Sequence, residues 1–424
     1  YMFKKLSLLF TMPDLRKKVF FILAMLVLFR VAATIPIPGV DSARLQAFLA
    51  GNQFFGLFNI FSGGVLDNLS VVMLGVGPYI TASIIMQLLT MIVPRLKEMY
   101  QEEGEAGRAR FNQYSRYLSF PLAVLQAYGL LILLMRQQVI PNLTAFGYMS
   151  NIIIVTAGTF FLMWLGELIT EKGVGNGISL MIFAGIVTGI PGYIQQTLFT
   201  LTADQIPTYL AFIILSVVVI AGVIIISEGQ RNIPVSYAKR IRGMKMIGGG
   251  STYLPLRVNQ AGVIPIIFSV SIILFPGLIG NFLAGVPHAY AQSVSHFLIQ
   301  LFNNQWIYGI CYFLLVFVFT YFYTAVTFDP QQIADNIQKQ GGFILGIRPG
   351  LPTANYLSRI INRITLAGGL FLGAIAVLPI VIPRIFGIPA LALGGTALLI
   401  VVSVVLETMK QIEAQIVMRE YENF

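Results

Sequence analysis

Few residues in this chain could do acid–base, nucleophilic or metal chemistry, and the sequence does not gather them. His288 and His296 share one link between apolar stretches. Cys311 is the single thiol, which rules out an internal disulfide and a cysteine metal site. Glu167, Glu228 and Glu407 stand near the ends of apolar stretches whose centres carry essentially no Asp, Glu, Lys or His. Ion-coupled carriers place ionisable groups along their path. An intramembrane protease needs a Ser/His pair, two Asp or a metal cluster at depth. Neither pattern is visible, so no enzyme, cofactor or metal is expected. Arg30, inside the first apolar stretch, is the exception. It reads either as a satisfied structural arginine or as a path residue.

The informative spacing is non-covalent. Residues 75–80 read G-V-G-P-Y-I and residues 262–267 read G-V-I-P-I-I, both G-x-x-P-x-I. Each sits in an apolar stretch, where Gly and Pro weaken a helix. Irregular backbone at membrane depth is tolerated only against protein or a water-filled cavity. Interrupted spans at matching places in two halves point to a transport pathway, although Gly and Pro are common in membrane helices generally. A second pair matches in the same order: G-I-S-L-M-I at 177–182 and G-T-A-L-L-I at 395–400.

The elements that must carry these motifs are membrane spans. The chain is 57% hydrophobic and 10% charged, against about 25% charged in soluble domains. Stretches near the ~20-residue spanning length fall at 19–38, 71–93, 114–135, 150–169, 177–198, 208–227, 259–280, 306–327, 364–383 and 388–408. The run 54–66 is too short to cross and reads as a short non-spanning helix. Arg30 and the I-P-I-P-G turn at 35–39 make the first stretch a span, not a cleaved leader. With ten spans, 23 of the 27 Lys and Arg share a side with both termini, which the positive-inside rule places in the cytoplasm. The +10 net charge makes that face attractive to anionic lipids.

Matching spans two with seven and five with ten implies a five-plus-five duplication, inverted because five is odd. The expected fold is all-α: ten transmembrane helices in two inverted five-helix halves, plus the short non-spanning helix. Residues 1–18 form a cytoplasmic segment, 19–200 the first half and 201–408 the second, with cytoplasmic loops 228–258 and 328–363; 409–424 is a cytoplasmic tail. At helical spacing Val76 and Ile80 share a face, as do Ile178 and Ile182, with Ile267 and Ile400 their counterparts. A mid-membrane ring of aliphatic side chains excludes water and ions by dewetting and suits chemically varied chains. The competing reading is ordinary core or lipid-facing isoleucine.

Further stretches carry a resemblance. They are I-P-I-P-G at 35–39, F-S-G-G at 61–64, P-Y-I-T-A-S-I-I-M-Q-L-L at 78–89, E-G-E-A-G-R at 103–108, G-V-G-N-G-I-S at 173–179, N-Q-A-G-V-I-P-I-I-F at 259–268, F-D-P at 328–330, A-D-N at 334–336 and G-I-R-P-G at 346–350. In this order the chain resembles the SecY/Sec61α family of protein-translocation channels, in its bacterial branch. The resemblance implies a clamshell of two halves around an hourglass pore in the bacterial plasma membrane. The six aliphatic residues match the family's pore ring. The segment 54–66 matches its plug, with Phe55, Leu57, Phe58, Asn59, Phe61, Ser62, Gly63 and Gly64. Gln87 and Asn259 match polar positions of a lateral gate between spans two and three and spans seven and eight. Implied partners are the small membrane subunits SecE and SecG, the SecA ATPase motor, the ribosome, signal peptides and unfolded polypeptides. A secondary transporter of small solutes is the alternative reading of an inverted repeat.

The two large cytoplasmic loops match docking surfaces, with Arg231, Arg240, Lys245 and Arg348 as contact residues. Asp329-Pro330 is a good helix start, and Gly341-Gly342 ends that helix and leads to Arg348 between Gly346 and Pro349-Gly350. An arginine on a short rigid turn can grip carboxylate or phosphate bidentately; a topogenic arginine facing headgroups is the other reading. Leu345 stands where many relatives have Pro, and Met244-Lys245 where many have two basic residues.

Overall fold

A computed structural model describes residues 12–38, 66, 69–136, 138–140, 143–200, 206–237, 240–242, 245–247, 251–260, 262–283, 288–386 and 394–422. Among them the chain is mostly helical: α1 Pro13–Thr34, α2 Gly77–Ile92, α3 Pro94–Gln101, α4 Gly104–Arg136, α5 Ala145–Lys172, α6 Gly177–Thr200 and α7 Ile206–Glu228. Strands β1 Gln230–Tyr237, β2 Arg240–Arg242, β3 Lys245–Ile247 and β4 Ser251–Arg257 follow. Then come α8 Ile264–Leu283, α9 Ala289–Asn303, α10 Gln305–Thr327, α11 Pro330–Lys339, β5 Gly342–Ile344, α12 Leu351–Phe386 and α13 Gly394–Glu422. Among the described residues, five stretches are long and apolar enough to cross a membrane: Gly104–Met135, Ala145–Lys172, Ile206–Glu228, Trp306–Lys339 and Leu351–Leu378. The pair α2–α3 makes a sixth if its 112° bend at Val93-Pro94 lies within one span.

The strands correct the all-α expectation. Antiparallel β4-β1-β5 form a three-stranded sheet, and β2-β3 a hairpin. In β1, buried Ile233 and Val235 flank exposed Pro234, and Leu256 in β4 is buried too. That period-two alternation makes one face of the sheet apolar, and with Ile344 of β5 it closes on Ile337, Leu357 and Ile360.

Two compact units divide the chain: Tyr1–Gln205 with Val270–Tyr308 and Val404–Phe424, and Ile206–Ser269 with Gly309–Ser403. In the first, α5 packs against α1, α4 and α6. Gly166 and Gly177 let α5 and α6 touch, because a side chain at Gly177 would collide with the Gly166 carbonyl. The start of α1 meets the end of α13: Leu15, Val174, Ile412 and Ile416 form one cluster, and Lys18 Nζ donates to Gln415 Oε1 at 3.2 Å. In the second unit the sheet lies on α11 and α12.

Candidate functional site

The two glycine–proline motifs have the same local structure, and neither interrupts a helix. Each begins one. The apolar stretch 71–93 is a buried turn followed by α2, and 259–280 is a turn followed by α8. Gly75 and Gly262 have φ of +58° and +62°, the left-handed region that favours glycine. Val76 and Val263 come next, each 3% exposed. Pro78 and Pro265 occupy the first helical turn, where a missing N–H costs no bond. Ile80 N donates to the Val76 carbonyl at 3.0 Å, and Ile267 N to the Val263 carbonyl at 3.2 Å. Ile80 and Ile267 are each 8% exposed.

The second pair of motifs also opens helices. Asn176 Oδ1 accepts from Ile178 N at 3.0 Å and Ser179 N at 3.2 Å, capping α6. Ile178 lies beside Gly166 and Ile182 is buried. Ile400 is buried in the second turn of α13. The aliphatic candidates therefore stand in the first two turns of four helices, save Val76, which caps α2 just before its first residue. Val76, Ile80, Ile178 and Ile182 belong to the first unit, and Ile267 and Ile400 to the second.

Arg30 is paired. Its Nη2 donates to the carbonyls of Ala184 at 2.8 Å and Gly185 at 3.0 Å, on the helix that carries Ile182. These two bonds favour the structural reading of this arginine.

The polar candidates on α2 and before α8 behave differently. Asn259 Oδ1 accepts from Gly262 N at 2.9 Å, and its Nδ2 donates to the Gly262 carbonyl at 3.3 Å. The side chain thus holds the left-handed turn in place. Gln87 Nε2 donates to Ser83 Oγ at 3.5 Å, while its Oε1 is buried with no partner among the described residues. A buried amide oxygen left bare is costly. Phe55, Leu57, Phe58, Asn59, Phe61, Ser62, Gly63 and Gly64 lie outside the described residues.

The docking candidates lie on β1, on the β2-β3 hairpin and in the turn after β5. Asp329 caps α11, accepting from Gln331 N at 2.9 Å and Gln332 N at 3.2 Å. Gly341, Gly346 and Gly350 all have positive φ, at +75°, +81° and +93°. Arg348 lies exposed between the last two, and its carbonyl accepts from buried Thr353 Oγ1 at 2.9 Å. Leu345 beside it is exposed. Arg231 is exposed on β1. Arg240 and Lys245 belong to the β2-β3 hairpin, in register with Ile247 and Arg242. From its charge alone this region reads as cytoplasmic loops. The alternation at Ile233/Val235 and Leu254/Leu256 was the signal for strands.

A mostly helical chain with several helices long and apolar enough to cross a membrane and a duplicated helix-start motif defines a polytopic membrane protein of the transport kind. The SecY family matches residues 70–409. The protein translocase subunit SecY of Streptomyces galbus is 45% identical over 432 residues, covering 98% of this chain and 98% of that one. This chain belongs to the SecY family. Among solved structures, a protein-conducting channel aligns with a TM-score of 0.64 at 22% identity, covering 93% of this chain and 91% of that one. Sec61 in the canine ribosome–channel complex from the endoplasmic reticulum aligns with a TM-score of 0.62 at 23% identity, covering 93% and 91%.

Proposed function

We propose that this chain is the central subunit of a protein-conducting channel in the bacterial plasma membrane. It passes unfolded secretory chains across the membrane and membrane segments sideways into it. The observation that carries this reading, beside family membership, is the duplicated helix start that buries Ile80 and Ile267 in the same local geometry. Ten spans in two inverted halves, with both termini cytoplasmic, extend the reading. The duplication and the contact of α1 with the end of α13 support it. The six aliphatic residues form the constriction, 54–66 is the plug, and Gln87 and Asn259 belong to the lateral gate. The bare Oε1 of Gln87 suits a surface that exchanges partners.

Energy comes from outside the chain. SecA or the ribosome docks on the platform bearing Arg231, Arg240, Lys245 and Arg348, SecE and SecG brace the helices, and anionic lipids face the basic side. The ribosome-bound Sec61 likeness supports the ribosome as a partner. The small-solute transporter is not favoured.

The test is a translocation intermediate arrested with a photo-crosslinker in mid-chain. Adducts to positions 80, 182 and 267 are expected. Adducts confined to exposed α7 positions such as 213 and 217 would contradict the assignment. For docking, Arg348→Glu should block translocation without loss of folded channel, while Arg359→Glu should not; equal effects would return Arg348 to a topogenic role.

A further inference from the structure

The link between α8 and α10 holds a helix that belongs to neither span. Helix α9 runs Ala289–Asn303, too short to cross a bilayer, and carries no Asp, Glu, Lys or Arg. It has three distinct faces. One packs on α8: Ser295 is buried and its Oγ donates to the Gly280 carbonyl at 2.7 Å. Gly280 permits that approach, since a Cβ there would stand 3.2 Å from Ile299 Cγ1 and 3.3 Å from Leu298 Cβ. A second face is polar and exposed, with Gln292, His296 and Gln300. The third is apolar and bare: Tyr290, Val294 and Phe297 are 81%, 48% and 63% exposed, and half-buried Leu301 continues the stripe. Spacings of four, three and four put these residues on one side of the helix.

Connectivity says what covers this stripe. Helix α9 follows apolar α8 after the short link 284–288 and runs directly into apolar α10, which opens with exposed Trp306. Both ends are therefore tied to segments that enter the membrane, and Trp is the residue of the membrane–water boundary. A helix with one protein face, one wet face and one bare apolar face, held at that depth, lies in the interface plane.

We propose that α9 is an in-plane anchor at the external membrane surface, with Tyr290, Val294 and Phe297 inserted at the headgroup–acyl boundary. Lacking Lys and Arg, it engages zwitterionic lipid as well as anionic lipid. The external side rests on the proposed orientation with both termini cytoplasmic; the in-plane position does not.

Spin labels test it on the full chain with Cys311→Ser, reconstituted in phosphatidylcholine vesicles. Single cysteines replace Tyr290, Val294, Phe297, Gln292 and Gln300, all exposed, so each variant keeps the packed face; Leu301→Cys is a further reporter. The ratio of oxygen to nickel-chelate collision should be at least about fivefold higher at 290, 294 and 297 than at 292 and 300. Equal ratios at all positions would show a helix surrounded by water and overturn the anchor. Low collision with both reagents at 290, 294 and 297 would also overturn it, and would mean that protein covers the stripe.

Discussion

The two glycine–proline helix starts reach the same backbone by different supports. Before α2, tertiary structure does the work. Ile37 N donates to the Leu69 carbonyl at 2.9 Å and Val71 N to the Ile35 carbonyl at 2.8 Å, so the exit from α1 is stitched to the turn. Leu66, Leu69, Met73 and Leu74 are buried with Leu130, Leu131, Leu134 and Val155. Gly158 of α5 lies so close to Val71 that a side chain there would strike its carbonyl. Before α8, among the described residues, Asn259 holds the turn through two hydrogen bonds to Gly262, beside buried Val263 and Ile266. A packed cluster is hard to shift by small increments, whereas two side-chain bonds can be exchanged for others at about 1 kcal/mol each. The α2 start is thus the fixed one and the α8 start the adjustable one.

The contrast can be broken most severely at Gly158. Gly158→Leu drives a side chain into the Val71 backbone and should cost about 3 kcal/mol or more by overpacking. A large fall in Tm of the purified protein is expected; an unchanged Tm would mean that the turn before α2 is not packed against α5.

A milder break applies at both left-handed glycines. Gly75→Val and Gly262→Val each force a β-branched residue into positive φ, at about 1–3 kcal/mol. Nothing lies within 4 Å of a Cβ at Gly262, so backbone strain is the whole effect there. The Gly262 variant should relax by shifting its turn and keep most of its Tm, while the Gly75 variant should lose more. Equal losses would remove the difference between the two supports.

The smallest change is at Asn259. Asn259→Ala should cost about 1–2 kcal/mol and raise resting leak, and Asn259→Asp, which keeps the acceptor for Gly262 N, should recover part of both. If alanine and aspartate behave alike, the hydrogen bond to Gly262 N is not what holds the turn.

What could be read from the sequence follows the same division. Helix starts set by local chemistry were legible: Asp329-Pro330 opens α11, and Gly341 closes it with positive φ. The apolar stretches marked helices but not their ends, because Gly75 and Gly262 begin α2 and α8 instead of breaking them. The three-stranded sheet was hidden because β1 pairs with β5 across more than a hundred residues, and its basic residues had already been explained by topology. The support of Gly158 for Val71 was invisible too, since close approach of two backbones leaves only a glycine in the sequence. Arg30 was legible as an intramembrane cation, but its partners are main-chain carbonyls, which no sequence pattern marks.

The central claim is that buried aliphatic residues at these helix starts seal the path. The most direct measurement is the conductance of resting channels carrying Ile80→Ser, Ile182→Ser and Ile267→Ser together, in planar bilayers. Hydroxyls in place of the aliphatic groups should wet the constriction and raise ion leak by about tenfold or more over the parent. A triple variant that folds, inserts and conducts no more than the parent would show that these residues are ordinary core and that the seal lies elsewhere.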